Sequence, residues 1–161
     1  MEILEIKQVN DALAEMVALF RVELRSYKGI VSKPNIEAGR EEMEEYLSAK
    51  FPVYAALVNG EYAGYVVCRV DSEVVWVESI FVKEEYRRHG VATALHSKAE
   101  EIAASYGDAT VYNYVHPNNH RMIEFLRKRG YTVLNLIEIR KPYIDEKLTQ
   151  TIVVGEHEFD Y

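Results

Sequence analysis

Apolar and polar residues recur along this chain with two different periods, and the switches between them outline its elements. Glu2 to Val9 reads as a first strand. From about Asp11 to Tyr27, Leu13, Met16, Val17, Phe20 and Leu24 fall on one helical face. Asn10 is a suitable N-cap for that helix and Gly29 ends it. After a loop at Ser32 to Asn35, broken by Pro34, a second helix is expected over Ile36 to Lys50. It is strongly acidic, with Glu37, Glu41, Glu42, Glu44 and Glu45, which suits either a solvated face or the wall of a cleft for a cationic molecule.

Short strand-like runs follow. Val53 to Val58 and Glu61 to Val70 flank Asn59-Gly60, the pair that fits a type I′ hairpin turn. Asp71 to Glu73 makes a second turn, into Val74 to Val82, a run of Val, Ile, Phe and Trp with one carboxylate, Glu78, in its middle. The strands therefore form an antiparallel meander up to Val82. Lys83 to His89 turns charged, and Gly90 opens a helix to about Tyr106 whose apolar face carries Val91, Ala94, Leu95 and Ala99. Gly107 and Asp108 interrupt, and Ala109 to Val115 is expected as a strand. Pro117-Asn118-Asn119 starts a helix to about Arg129, which Gly130 stops. Tyr131 to Ile139 is expected to return as a strand, and Thr151 to Val154 as a last one before a turn at Gly155.

The segment Lys83 to Leu95 carries the clearest chemistry. A helix N-terminus leaves backbone N–H groups unpaired at the positive end of the helix dipole. Behind Arg87, Arg88 and His89, and with small residues at Gly90, Ala92 and Ala94, it suits a phosphate approaching closely. An ordinary strand-to-helix connection with a solvated basic surface fits the same residues.

Composition narrows the context. The chain has 161 residues, 48% of them apolar and 28% charged, which predicts a single globular domain over residues 1–161. Its net charge of −7 argues against sequence-independent nucleic-acid binding and sets off the local basic cluster. Cys68, the single cysteine, lies in an apolar run and reads as a core residue. His116 and His120 are separated by Pro117, and with no Cys or H-E-x-x-H pattern no metal site is expected. Neither a leader peptide nor a membrane-spanning run is legible, so a cytoplasmic, non-membrane protein is expected.

Arg87-x-x-Gly90-x-Ala92, placed after an apolar strand and at the head of a helix, resembles the (Gln/Arg)-x-x-Gly-x-(Gly/Ala) signature of the GNAT superfamily of acyl-CoA-dependent N-acetyltransferases. The resemblance is strongest from Tyr54 to Tyr131. It implies an α/β (α+β) GNAT fold, a mixed and mostly antiparallel sheet of about six or seven strands flanked by about four helices. It implies acetyl-CoA as donor, with Phe81 and Val82 pairing with its pantetheine arm and the backbone of Arg88, His89, Gly90, Val91, Ala92 and Thr93 around its pyrophosphate. Arg87 and Arg88 would add charge-assisted contacts, and the Val82 N–H would polarise the thioester carbonyl. Asn119, with Gly130-Tyr131 at the far end of its helix, matches a second family pattern whose Asn contacts the cofactor; helix initiation by Asn118 or Asn119 accounts for it equally well.

The same pattern carries a tyrosine where this chain has Leu126, so the usual acid for the departing thiolate is missing. Tyr112, Tyr114 and Tyr131 are nearby in sequence, and the acid stays unassigned. Glu78 is the candidate base for the amine, since partial burial in an apolar strand would raise its pKa; a structural carboxylate paired with an arginine is the bland alternative. The implied activity is acetyl transfer to a primary amine, on a small molecule or a peptide. The rival is a non-catalytic acyl-CoA-binding module, which Leu126 favours. A homodimer formed by adding the Thr151 to Tyr161 tail to a partner's sheet is one option, and an intramolecular strand is the simpler one.

Overall fold

The computed structural model describes residues 1–108 and 110–161. Those residues divide into two compact units, Met1–His116 and Pro117–Tyr161.

The first unit is built on a five-stranded sheet in the order β1-β2-β3-β4-β5, comprising Glu2–Glu5, Val53–Val58, Glu61–Asp71, Val74–Val82 and Tyr112–Asn113. The first four strands pair antiparallel, as the turn residues predicted, and β5 runs parallel to β4. Asn59 and Gly60 both have positive φ, as do Ser72 and Glu73, so each hairpin closes with the handedness that matches strand twist. The expected strand from Ala109 to Val115 shrinks to two paired residues; Ala109 lies outside the described residues.

Helices α1 (Asp11–Ser26) and α2 (Ile36–Ser48) are capped by Asn10 and Asn35, whose side chains accept from Leu13 N and Ala38 N. Each such cap contributes about 1 kcal/mol. The two helices cross closely at Gly39, where a Cβ would lie 2.3 Å from the Ala14 carbonyl oxygen. Together with one face of the sheet they enclose Leu13, Met16, Val17, Met43, Val53, Ala55, Tyr65, Val67 and Phe81. Helix α3 (Val91–Ser105) covers the other face, and Gly64 is needed beneath it because a Cβ there would meet the Phe81 oxygen at 2.6 Å and Leu95 at 3.2 Å. Four carboxylates of α2 are solvated, as a surface face would be; Glu42 alone turns inward, to a two-pronged pair with Arg21. Cys68 is fully buried, and burial pushes its thiol up to about 12.

The second unit holds α4 (His120–Lys128) and a separate two-stranded sheet, β6 (Thr151–Val154) and β7 (His157–Asp160), turning at Gly155. The C-terminal tail thus pairs with itself. Helix α4 ends with Gly130 at positive φ and with the N–H groups of Gly130 and Tyr131 bonded to Arg127 O and Leu126 O. The strand expected over Tyr131 to Ile139 does not form. Val133, Leu134, Leu136, Ile137 and Ile139 are exposed there, and no described strand pairs with the segment. Strand-forming side chains alone cannot make a strand, because its backbone groups need a neighbour to bond. Among the described residues, no helix is long and apolar enough to cross a membrane.

Candidate active site

Strand β4 makes the site because it is fully paired on one edge and mostly open on the other. Along β3 it is paired from Asp71–Val74 to Gly64–Val82. Along β5 it is paired only at Trp76–Tyr112 and Val77–Asn113. Past Val77 the β5 side of the strand has no strand neighbour among the described residues.

Which backbone groups point into that opening follows from the alternation of antiparallel pairs. Lys83 N donates to Ala63 O at 2.9 Å, so the Lys83–Ala63 pair is hydrogen-bonded. The next pair, Val82–Gly64, is therefore not, and Val82 turns its N–H and C=O away from β3. Phe81 has the opposite setting: its backbone faces Tyr65 of β3 and its ring lies in the core. Of the two residues expected along the pantetheine arm, Val82 offers its backbone to the open edge and Phe81 does not; Ile80 shares the setting of Val82.

The register also shifts inside β4. Val67 opposes Ser79 whereas Cys68 opposes Val77, so Glu78 is the extra residue of a β-bulge. This explains why a carboxylate is tolerated in an apolar strand. The Glu78 residue reaches solvent, with 32% of its side chain exposed. It is ion-paired to Arg69, whose Nε lies 3.2 Å from Glu78 Oε2, and the Arg69 guanidinium in turn lies 4.4 Å from the Trp76 ring centre. The Tyr112 ring packs against Trp76 at 5.6 Å. Next to the bulge, the buried Ser79 and Tyr65 hydroxyls share a 2.7 Å hydrogen bond, and burial drives the Tyr65 phenol far above its usual range. Burial, followed by the hydrogen bond and charge of Glu42 and, more weakly, the charge of Glu78, does the same to Tyr46.

A short 3-10 helix at Glu84–Tyr86 leads from β4 to the basic loop. There Arg88 and Gly90 both adopt left-handed backbone, φ +64° and +79°. A non-glycine residue rarely does so, and alternating hands of this kind turn successive N–H groups toward one point. Gly90 is the N-cap of α3 and no side chain caps that end. The first helical bond is Ala94 N to Gly90 O, which leaves the N–H groups of Val91, Ala92 and Thr93 ahead of the ladder. Arg88, His89 and Gly90 are exposed, and the Arg88 side chain bonds no described residue, so its guanidinium is available to an anion.

Arg87 behaves differently. Its Nε donates to Val82 O at 2.9 Å and its Nη2 to Glu23 Oε2 at 2.9 Å, with the guanidinium 5.7 Å from the Phe81 ring centre. Both sequence arginines were candidates for direct phosphate contact. Arg87 is instead engaged in tying the loop to β4 and α1.

Asn119 caps α4, its Oδ1 accepting from Met122 N at 3.1 Å, which is the helix-initiating role weighed for it. Leu126 is buried. No described group of three or more His, Cys, Asp or Glu side chains could hold a metal ion. The arginine partner weighed for Glu78 is Arg69, while the bulge and the Tyr65–Ser79 bond were not read from the sequence.

This architecture is that of a known class. The family model for the acetyltransferase (GNAT) family matches residues 16–131, the greater part of the chain. The chain belongs to the GNAT family of acetyltransferases. An uncharacterized N-acetyltransferase of Methanocaldococcus jannaschii is 35% identical over 81 residues, 46% of this chain and 36% of its own length. The chain thus spans little over a third of that relative. Among solved structures, the chain is similar in fold to AAC(6')-Iy bound to a bisubstrate analogue, CoA-S-monomethyl-acetylneamine (TM-score 0.62, 21% identity, 88% of this chain and 98% of that one). It is also similar to the ribosomal-protein-S18-alanine N-acetyltransferase of Escherichia coli (TM-score 0.59, 19% identity, 80% and 76%).

Proposed function

We propose that the protein transfers the acetyl group of acetyl-CoA to a primary amine by direct attack of the amine on the thioester. The observation that carries this reading is the open edge of β4 running into the uncapped N-terminus of α3. A pantetheine arm can pair with Val82 as an added strand would. The pyrophosphate then lies against the backbone N–H groups from Arg88 to Thr93, with the Arg88 guanidinium beside it. The GNAT family model runs from the first unit into the second, which supports reading residues 1–161 as one catalytic domain.

In this reading the acceptor amine gives its proton to Glu78, directly or through water, and its nitrogen attacks the carbonyl carbon. The Val82 N–H donates to the oxygen as it gains charge. The carbon–sulfur bond then breaks, coenzyme A leaves as a thiolate, and the second proton that the nitrogen sheds as the amide forms passes to water or to that thiolate. With a thiol pKa of about 8.5 that departure is tolerable without the tyrosine that Leu126 replaces. An α-amine, with a pKa near 8, asks less of Glu78 than a lysine near 10.4. The solved neighbours include an aminoglycoside enzyme and one for a protein's alanine, so both small-molecule and peptide amines stay in view. A non-catalytic binding module is not favoured by a match to an acetyltransferase family.

The test is a calorimetric titration of acetyl-CoA into the protein and into Gly90→Glu, followed by an amine screen for thiol release. Binding lost in the variant, with turnover in the wild type, is the expected result. Absence of heat from the wild type overturns the reading.

A further inference from the structure

We infer that the acceptor carries a carboxylate next to its amine, as a free α-amino acid does, and that Arg69 selects it. The inference rests on the acetyltransferase reading above and concerns the acceptor end of that site.

Arg69 and Glu78 lie on the same face of the sheet. Arg69 opposes Trp76 in the β3–β4 register, and the bulge at Glu78 keeps that carboxylate on the side of Arg69. One edge of the guanidinium is committed through Nε to Glu78 Oε2 at 3.2 Å, and its plane is steadied by the Trp76 ring, 4.4 Å away. The other edge is not committed. Neither Nη1 nor Nη2 bonds any described residue, and Glu78 Oε1 is equally unused. About a third of each side chain is exposed, 31% and 32%, so both reach solvent without swinging freely.

A guanidinium held in this way is a preformed fork for a planar oxyanion. Most of the rotamer entropy that an arginine loses on binding a ligand is already lost here. Glu78 beside it decides which ligand fits. A dianionic phosphate would meet the carboxylate's repulsion in addition to the fork. A polycation without an anion would meet the Arg69 charge before it reached Glu78. An α-amino acid presents one group of each sign across a single carbon, so its amine can meet Glu78 Oε1 while its carboxylate meets the Nη edge. The pair is thus complementary to a zwitterion, and it brings the amine to the proposed base beside the open edge of β4.

The experiment measures kcat/KM for acetyl transfer, by thiol release at saturating acetyl-CoA, with alanine, leucine, phenylalanine and lysine. Each is compared with its own amide and its decarboxylated amine. At least one amino acid is expected to exceed both of its counterparts by tenfold or more. Arg69→Gln should reduce that ratio at least tenfold, and Arg69→Lys, which keeps the charge and loses the fork, should fall between. A purely structural Arg69 would change all three acceptors together and leave the ratio intact, which overturns the proposal. So does a wild-type protein that prefers the amides or amines. A protein that binds acetyl-CoA but acetylates no member of the panel overturns this acceptor while sparing the donor site; a protein that binds no acetyl-CoA overturns the underlying reading instead.

Discussion

The Arg87 guanidinium spans 64 residues of sequence to reach Glu23, 2.9 Å from Nη2 to Oε2, while its Nε holds the Val82 carbonyl. Helix α1, the end of β4 and the basic loop are joined by one side chain. The loop's geometry therefore depends on a residue that need not touch the donor. Arg87→Met removes a charge-assisted bond from a part-buried carboxylate and should cost about 1–3 kcal/mol in urea denaturation. It should also weaken acetyl-CoA binding several-fold by calorimetry. An unchanged denaturation midpoint together with unchanged affinity would show that the tie is idle.

Arg88 predicts the opposite sign for its two effects. Its left-handed φ of +64° is unfavourable for a side chain with a Cβ. Arg88→Gly should stabilise the fold by about 0.5–1 kcal/mol, allowing for the extra freedom of glycine in the unfolded chain. The same change removes the exposed guanidinium and should weaken acetyl-CoA binding. Thermal unfolding and calorimetry on one sample decide it: a variant that is less stable, or that binds as tightly, contradicts the assignment.

The Tyr65–Ser79 hydrogen bond is enclosed, so its halves are not independent. Tyr65→Phe strands the Ser79 hydroxyl, and Ser79→Ala strands the phenol, each at about 1–3 kcal/mol. The double variant should be less destabilised than the sum of the two. Additivity in that cycle would mean the bond contributes nothing.

Burial of Cys68 makes a pH prediction. Burial pushes the folded thiol up to about 12, against 9.0 for an unburied thiol. The unfolded chain therefore releases a proton first, and this contribution is present in full below pH 9, then declines as pH rises toward about 12. A thiol reagent at pH 8 should react with the denatured protein and hardly at all with the native one. Rapid modification of the native protein would contradict the burial.

Locally encoded features were legible in the sequence and relational ones were not. Asn59-Gly60, the cap Asn10 and the strand from Val74 to Val82 are specified by residues within a few positions of one another. The same is true of Gly90, which opens α3 in left-handed backbone. Glu78 stands out among apolar neighbours, but a bulge is a property of two strands in register, and β4 alone does not disclose it. Arg87 looked like a phosphate ligand because Glu23 is far away in sequence. Tyr131 to Ile139 has the apolar and β-branched content of a strand and lacks the neighbour that would make it one.

The extra residue at position 78 divides β4 into two halves of opposite parity. Before it, Val75 and Val77 oppose Val70 and Cys68 on the α3 side; after it, Val82 and Ile80 occupy that side, and Ser79 and Phe81 look toward α1 and α2. Odd positions are thus core for one helical layer in the first half and for the other layer in the second. Losing a single residue here would turn one half inside out, presenting Val75 and Val77 to the wrong layer or the Val82 edge to the wrong neighbour. The strand can change its side chains far more easily than its length.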